Sequence, residues 1–221
     1  MRFTERLRGL KKWTYETLCK GREMKTPAPN MDITQIQTAE PKVYLAWTPS
    51  RLDKSGTLQT QAEPSSVCPS ILIMPVQSYA AYMEEKRFDR YNNVHRPHLM
   101  GQHMGVQMLF TIYEPGVRLP GFAQSAGKSG RGIDPTLMLD ATEQGLFTLL
   151  NWMDDAMEAL LGQKMIPNTD LFVEEDTMTY SLYTDQSYVV DRRPIYYGFV
   201  NVSFGCYASQ GMEPAIEEYL R

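Results

Sequence analysis

The feature that most constrains the fold is a long run of strand-forming residues near the C-terminus, Ile195–Tyr207. Its even-numbered positions are mostly apolar: Tyr196, Val200, Val202, Phe204 and Cys206. This alternation with a period of two predicts a strand with one face on a core and the other partly wet. At ~3.3 Å per residue the strand would be roughly 40 Å long, against about five or six residues for an ordinary strand. Such length predicts pairing or packing with something outside its own domain.

The composition is that of an ordinary globular protein, with 221 residues, 43% hydrophobic and 22% charged. The net charge of −4 argues against a general nucleic-acid-binding protein, because neutralising phosphates requires a concentrated basic face. No apolar run approaches the ~20 residues needed to span a bilayer. The first residues are charged and lack an apolar signal-peptide core, so export by that route is not expected.

The three cysteines, Cys19, Cys68 and Cys206, are far apart and form no C-x-x-C pair. This usage predicts reduced thiols rather than a disulfide framework, with Cys206 buried on the apolar face of the long strand. The chain also has 13 tyrosines and 14 methionines, two residue types that suit protein–protein contact surfaces.

Two amphipathic helices are predicted with the most support. The first has an apolar stripe at helical spacing, a basic opposite face and a stop at Gly21. Its apolar stripe is Phe3, Leu7, Leu10, Thr14 and Leu18. Its basic residues are Arg6, Lys11 and Lys12. It either packs on its own domain or docks on a neighbour. The second is long and ends at Gly162, with starts offered by Asp134-Pro135 and by Asp140 with Glu143. Its stripe is Leu146, Leu149, Leu150, Met153, Met157, Leu160 and Leu161.

The remaining elements are predicted from shorter patterns. A further helix is predicted over residues 79–90. Strands are predicted at residues 43–47, 71–74, 107–113, 178–183 and 188–190. Polar, proline-bearing segments at 22–42 and 53–66 predict loops or an extended arm.

A glycine- and proline-rich loop covers residues 115–133 and contains Gly127-Lys128-Ser129. A phosphate-binding Walker loop needs glycine five residues before its Gly-Lys pair, and that position is Phe122. A loop that presents Lys128 and Arg131 to an acidic surface or to another subunit is therefore favoured over nucleotide binding.

Candidate catalytic groups are few. His95, His98 and His103 cluster in a predicted loop, but no cysteine or paired carboxylate lies nearby at metal-ligand spacing. Asp154 and Glu158 are one helical turn apart and are interpreted as a solvated helix face. No G-x-S-x-G elbow is present. These patterns do not favour an enzyme.

Four segments, residues 69–76, 146–161, 178–183 and 193–204, fit a recurring order of elements. A leading helix and a long loop precede two strands, a long helix and closing antiparallel strands. This order resembles that of the tail terminator, or tail completion, proteins of long-tailed bacteriophages and related phage-tail-like particles. The resemblance covers roughly residues 65–208 and is one of pattern, without a signature motif.

The resemblance implies an α+β fold: a mostly antiparallel sheet with a long helix packed on one face, plus an N-terminal helix and extended arms. It divides the chain into an N-terminal helix (1–21), an extended arm or linker (22–66), a terminator-like α+β domain (67–208) and a C-terminal tail (209–221).

The resemblance also implies a structural virion protein with no enzymatic activity, cofactor or metal. Copies of the chain would form a homohexameric ring that caps the tail tube, stops its polymerisation and joins it to the head connector or stopper protein. The tail sheath is a further candidate partner, and neither a membrane nor a specific nucleic acid is expected. The expected location is the neck region of the virion tail, and the host cytoplasm during assembly. We expect interface roles for Lys128, Arg131, Tyr197 and Phe199.

Two alternatives remain open. One is another neck protein, such as a head-closure or connector component. The other is a small metal-dependent hydrolase built on the loop with His95, His98 and His103.

Overall fold

The computed structural model describes residues 1–27, 37–48, 51–52, 58–59, 67–83, 99–115, 135–182, 184–185, 188–189 and 194–207. These residues form an α+β fold, as the sequence predicts. The helices are α1 (Phe3–Thr14), which continues into a π-helical turn (Tyr15–Cys19), and α2 (Pro135–Gln163). The strands are β1 (Met24–Thr26), β2 (Gln37–Ala39), β3 (Lys42–Leu45), β4 (Arg51–Leu52), β5 (Leu58–Gln59), β6 (Ser70–Met83), β7 (Leu99–Tyr113), β8 (Phe172–Leu182), β9 (Thr184–Asp185), β10 (Tyr188–Val189) and β11 (Ile195–Tyr207).

The main sheet has five strands in the order β3-β6-β7-β11-β8. Only β3 and β6 run parallel, and the other three pairings are antiparallel, so the sheet is mostly antiparallel as predicted. The remaining described strands form three small two-stranded pairs: β1–β2, β4–β5 and β9–β10. Within the predicted arm of residues 22–66, Lys42–Leu45 is therefore part of the main sheet.

The long strand β11 has the predicted bounds, Ile195–Tyr207, but lies inside the sheet. It pairs with β7 along its whole length and with β8 from Gly198 to Gly205. Both of its backbone edges are therefore hydrogen-bonded within the chain over that stretch. The expectation that β11 pairs with something outside its own domain is wrong over this stretch, because both neighbouring strands, β7 and β8, belong to the same chain.

Strand β6 extends much further than predicted. The helix expected over 79–90 is wrong for its described part, because Tyr79 pairs with His103 and Met83 pairs with Leu99. Residues 84–90 lie outside the described residues. The register shifts between Pro75 and Gln77, which places the proline at a bulge, where the missing N–H costs less than in a regular ladder.

The helices pack on the sheet face that carries the even-numbered residues of β11. The contact is close, because Gly198 faces Met153 and Leu149 of α2. The fully buried side chains of this core include Leu10, Ile71, Ile73, Met104, Met108, Phe110, Ile112, Leu149, Trp152, Met153, Leu160 and Phe204. The predicted core face of the long strand is confirmed, since Val200, Val202, Phe204 and Cys206 are buried.

The predicted stripe of α2 is correct only in part. Leu149, Met153 and Leu160 are buried, but Leu150 is half-buried and Leu161 is 42% exposed. Trp152 and Ala156 take the remaining core positions. The buried face of α2 is therefore centred on Trp152 rather than on the predicted leucine stripe. The helix begins at Pro135, the earlier of the two predicted starts, and ends next to Gly162.

Candidate functional site

The sheet face opposite the helices carries the odd-numbered residues of β11, and we call it the outer sheet face. Directly paired residues share a face of a sheet, so the register assigns its members. Among the described residues they include Ser70, Leu72 and Met74 of β6, His103, Gln107, Leu109 and Thr111 of β7, Glu174, Thr179 and Ser181 of β8, and Tyr197, Phe199, Asn201 and Ser203 of β11.

An apolar row crosses the outer sheet face. Leu72 pairs with Leu109, Leu109 pairs with Phe199, and Phe199 pairs with Ser181. Leu72 is buried, whereas Leu109 and Phe199 are half-buried. Phe199, one of the predicted interface residues, therefore lies in the middle of the face and retains part of its surface for contact.

Tyr197, the second predicted interface residue within the described residues, packs against a small cluster of Cys68, Tyr113 and Ile195. It is half-buried, so its ring contributes to this satellite core and also reaches the surface. The other two predicted interface residues, Lys128 and Arg131, lie outside the described residues.

A polar row runs beside the apolar one. The Gln107 Nε2 atom donates to the Asn201 Oδ1 atom at 3.1 Å, and the Asn201 Nδ2 atom donates to the Thr179 Oγ1 atom at 3.3 Å. Three neighbouring strands, β7, β11 and β8, are thus linked by side-chain amides. Asn201 lies on the face of the long strand that is predicted to be partly wet, but its partners come from distant parts of the chain and are not evident from its own strand.

The prediction that His103 belongs to a loop with the other two histidines is wrong. His103 lies within β7, not in a loop, and its Nδ1 atom contacts the Glu174 carboxylate of β8 across the intervening strand β11. Each side chain is about one-fifth exposed. His95 and His98 lie outside the described residues. Among the residues that the structure describes, no group of three His, Cys, Asp or Glu side chains is arranged to hold a metal ion.

The pairing of β8 with β11 is irregular in the first half of β8 and regular in the second half. Its register against β11 shifts between Glu174 and Thr179. In this irregular stretch the Thr177 hydroxyl accepts the Ser203 N–H at 2.9 Å and donates to the Glu174 carbonyl at 2.6 Å. One side chain thus replaces a missing backbone partner. Beyond it, Thr179 to Leu182 pair regularly with Asn201 to Gly198.

The N-terminal helix is fastened to the domain through Arg6. The prediction that Arg6 belongs to an exposed basic face is wrong, because the residue is only 2% exposed. Its guanidinium donates to both carboxylate oxygens of Asp170, at 2.8 and 2.6 Å, and to the Gln102 side-chain oxygen at 3.0 Å. The face of α1 that carries Arg6 therefore packs on its own domain. The helical segment ends at Cys19, two residues before the predicted stop at Gly21, where φ is +74°.

The Arg6–Asp170 contact perturbs both groups. The hydrogen bond to Asp170 raises the pKa of the Arg6 guanidinium, and this outweighs the opposite effect of burial. Burial alone would raise the pKa of Asp170, but the hydrogen bonds and the charge of Arg6 together hold it below its ordinary value. The pair is therefore ionised at neutral pH.

The three cysteines are free and buried. Burial raises the pKa of Cys19 and of Cys68 to about 12 and also raises that of Cys206. A nucleophilic cysteine needs a lowered pKa and access to its substrate, so these thiols fit a packing role.

This chain matches no known protein-family model and no curated protein. In the described part of the chain, no helix has the length and apolar character to cross a membrane.

Proposed function

We propose that this chain is a structural subunit of a phage tail: a tail terminator that assembles into a homohexameric ring on the end of the tail tube. The ring stops polymerisation of the tube and presents a surface to the head connector or stopper protein. Its location is the neck of the virion tail, with assembly in the host cytoplasm.

The observation that carries the proposal is the one-sided packing of the sheet. Within the described residues, both α-helices pack on a single sheet face, which is the arrangement that the resemblance to tail terminators implies. The outer sheet face combines the half-buried Leu109 and Phe199 with the polar row of Gln107, Asn201 and Thr179. Mixed apolar and hydrogen-bonding surfaces of this kind suit contacts with other proteins.

A ring also requires two different surfaces on each subunit, because its contacts are heterologous and close by rotation. The five-stranded sheet supplies two different edges, β3 and β8. A ring would use both edges, whereas a two-fold dimer would use the same surface on each subunit.

The test is electron microscopy of the purified protein, alone and after mixing with polymerising tail-tube protein. We expect closed six-fold rings, and tubes that stop lengthening with a ring at one end. Strictly monomeric protein that leaves tube growth unchanged would contradict the proposal.

A matched pair of variants sharpens this test. Phe199→Thr removes the aromatic side chain from the outer sheet face and keeps a β-branched strand former. Phe147→Gln changes an exposed residue of α2, on the opposite side of the sheet. We expect weakened ring formation or capping for Phe199→Thr only. Equal ring formation and capping by the two variants would show that the outer sheet face takes no part in assembly.

A further inference from the structure

The directions of the two edge strands determine how copies of this sheet can meet. Strand β3 is parallel to β6, and each later step across the sheet, from β6 to β7, β11 and β8, is antiparallel. Strands β3 and β8 therefore run in opposite directions. When a second copy is placed edge to edge by rotation, β8 of one copy lies antiparallel to β3 of the next, the geometry of an ordinary antiparallel ladder.

Half of β8 is protected against such pairing and half is not. Edge strands are commonly shielded by charges and bulges. Glu174, Glu175 and Asp176 and the irregular register all fall in the first half of β8. The second half, residues 178–182, contains no charged residue and no proline. Among the described residues, the first residue of β8, Phe172, also forms an isolated bridge with Met165, whereas residues 178–182 pair with β11 alone.

The two edges are similar in length, and each has an exposed aromatic side chain on it or next to it. Strand β3 has four residues, and the uncharged half of β8 spans 178–182. Tyr180 is 58% exposed on this half. Next to β3 the backbone turns at Ala46, where φ is +60°, and Trp47 is left 69% exposed. Exposed tyrosine and tryptophan are the side chains most often found as anchors in protein interfaces.

Charge favours a head-to-tail contact over a two-fold contact between equal edges. Helix α1 contacts β3, and the exposed charges on its surface include Arg8, Lys11 and Lys12. On the other side, β8 exposes Glu175 and Asp176, and α2, which contacts β8, exposes further carboxylates. A head-to-tail arrangement brings acidic and basic sides together, whereas a β8–β8 contact would place like charges side by side.

We propose that adjacent subunits are joined by antiparallel pairing between residues 178–182 of β8 on one copy and β3 (Lys42–Leu45) on the next. This inference rests on the proposed ring and names the contact that closes it. The occupant of the β8 edge is a second copy of this chain.

Disulfide trapping tests the contact directly. Lys42→Cys is combined in turn with Thr179→Cys, Tyr180→Cys and Ser181→Cys, so that neighbouring registers are covered. Within one chain the two edges are four strand spacings, or roughly 19 Å, apart, which is too far for a disulfide. A crosslink can therefore form only between copies. We expect mild oxidation of at least one double variant to give disulfide-linked oligomers of increasing size, up to the full ring. Each single variant should give no crosslinked oligomer.

A charge variant gives an independent readout. Tyr180→Lys places a positive charge in the uncharged half of β8, and Phe147→Lys places the same charge at an exposed site on α2. We expect Tyr180→Lys to shift the particle mass from ring to monomer while its melting temperature stays close to that of the parent. Phe147→Lys should keep the ring mass.

The outcomes separate this inference from the proposed function. A ring in the parent protein that neither crosslinks in any double variant nor responds to Tyr180→Lys overturns the β8–β3 contact and leaves the ring standing. Covalent dimers from a single β8 cysteine also overturn it, because they indicate a two-fold contact. A parent protein without any ring overturns the proposed function, and the inference with it.

Discussion

Trp152 of α2 and Phe110 of β7 meet edge to face, with ring centroids 5.1 Å apart and ring planes at 84°. The same indole donates its Nε1 hydrogen to the Leu18 carbonyl at 3.1 Å. The Arg22 guanidinium carbon lies 5.9 Å from its ring centroid. One buried side chain thus connects the long helix, the centre of the sheet and the end of the N-terminal helical segment.

Trp152→Ala should therefore lower the free energy of unfolding by about 3–5 kcal/mol, because it leaves a large cavity between helix and sheet. Trp152→Phe should cost less, since it keeps most of the packing and loses the hydrogen bond to Leu18. Urea unfolding measures both. Phe147→Ala, at a 55% exposed site of the same helix, is the control and should change stability by no more than about 0.5 kcal/mol. Equal losses at positions 147 and 152 would show that α2 packs through a different face.

Gly198→Ala tests how closely α2 approaches β11. A Cβ at this position would lie 2.5 Å from the Met153 Sδ atom and 3.3 Å from the Leu149 Cδ2 atom. Overpacking of this kind typically costs about 1–3 kcal/mol. Gly162→Ala, near the end of α2, meets nothing within 4 Å and should be neutral or stabilising by up to ~1 kcal/mol. Thermal unfolding that ranks the two variants in the opposite order would be inconsistent with this packing.

The Arg6–Asp170 pair predicts a pH-dependent part of the stability. The pKa of Asp170 is lowered in the folded state, so its contribution is present above the ordinary pKa and is lost as pH falls through the lowered value. Asp170→Ala should cost about 1.5–3 kcal/mol at pH 7, since it leaves the buried guanidinium without its carboxylate.

Urea unfolding of the parent and of Asp170→Ala across the acid range checks this prediction. The difference between them should shrink once the pH falls below the ordinary aspartate pKa of 3.8. Asp176→Ala, at an exposed aspartate of β8, is the control and should be near neutral throughout. A deficit for Asp170→Ala that is independent of pH would mean that the loss is one of packing, not of charge.

The buried thiols predict protection from alkylation. At pH 8 almost no Cys19 or Cys68 thiolate exists in the folded protein, because burial raises the pKa of each to about 12. Iodoacetamide labelling followed by mass spectrometry should show slow modification in buffer and complete modification in denaturant. Rapid labelling of Cys68 in the folded protein would contradict its place in the cluster with Tyr113 and Ile195.

The parts of the fold that sequence predicts best are those with strong local patterns. The alternation in Ile195–Tyr207 gave the bounds of β11, because period two is a property of neighbouring residues. The buried face of α2 is predicted only in part: Leu150 and Leu161 have the character of core residues, but the sheet selects the face that carries Trp152.

The relationships that sequence could not supply are the long-range ones. The residues of β6 beyond Ser78 have no strong local preference for a strand, and pairing with β7 decides their conformation. Arg6 binds a carboxylate 164 positions away, so its burial could not be read from its own helix. The same holds for the strand order, which places β11 between β7 and β8.

The proposed ring is tested by the particle mass of the purified protein in solution, measured by light scattering coupled to size exclusion or by native mass spectrometry. We expect a closed assembly of six copies of the 25.3-kDa chain, with the mass unchanged on dilution until subunits dissociate together. A monomer at all concentrations, or a dimer that grows no further, would contradict it.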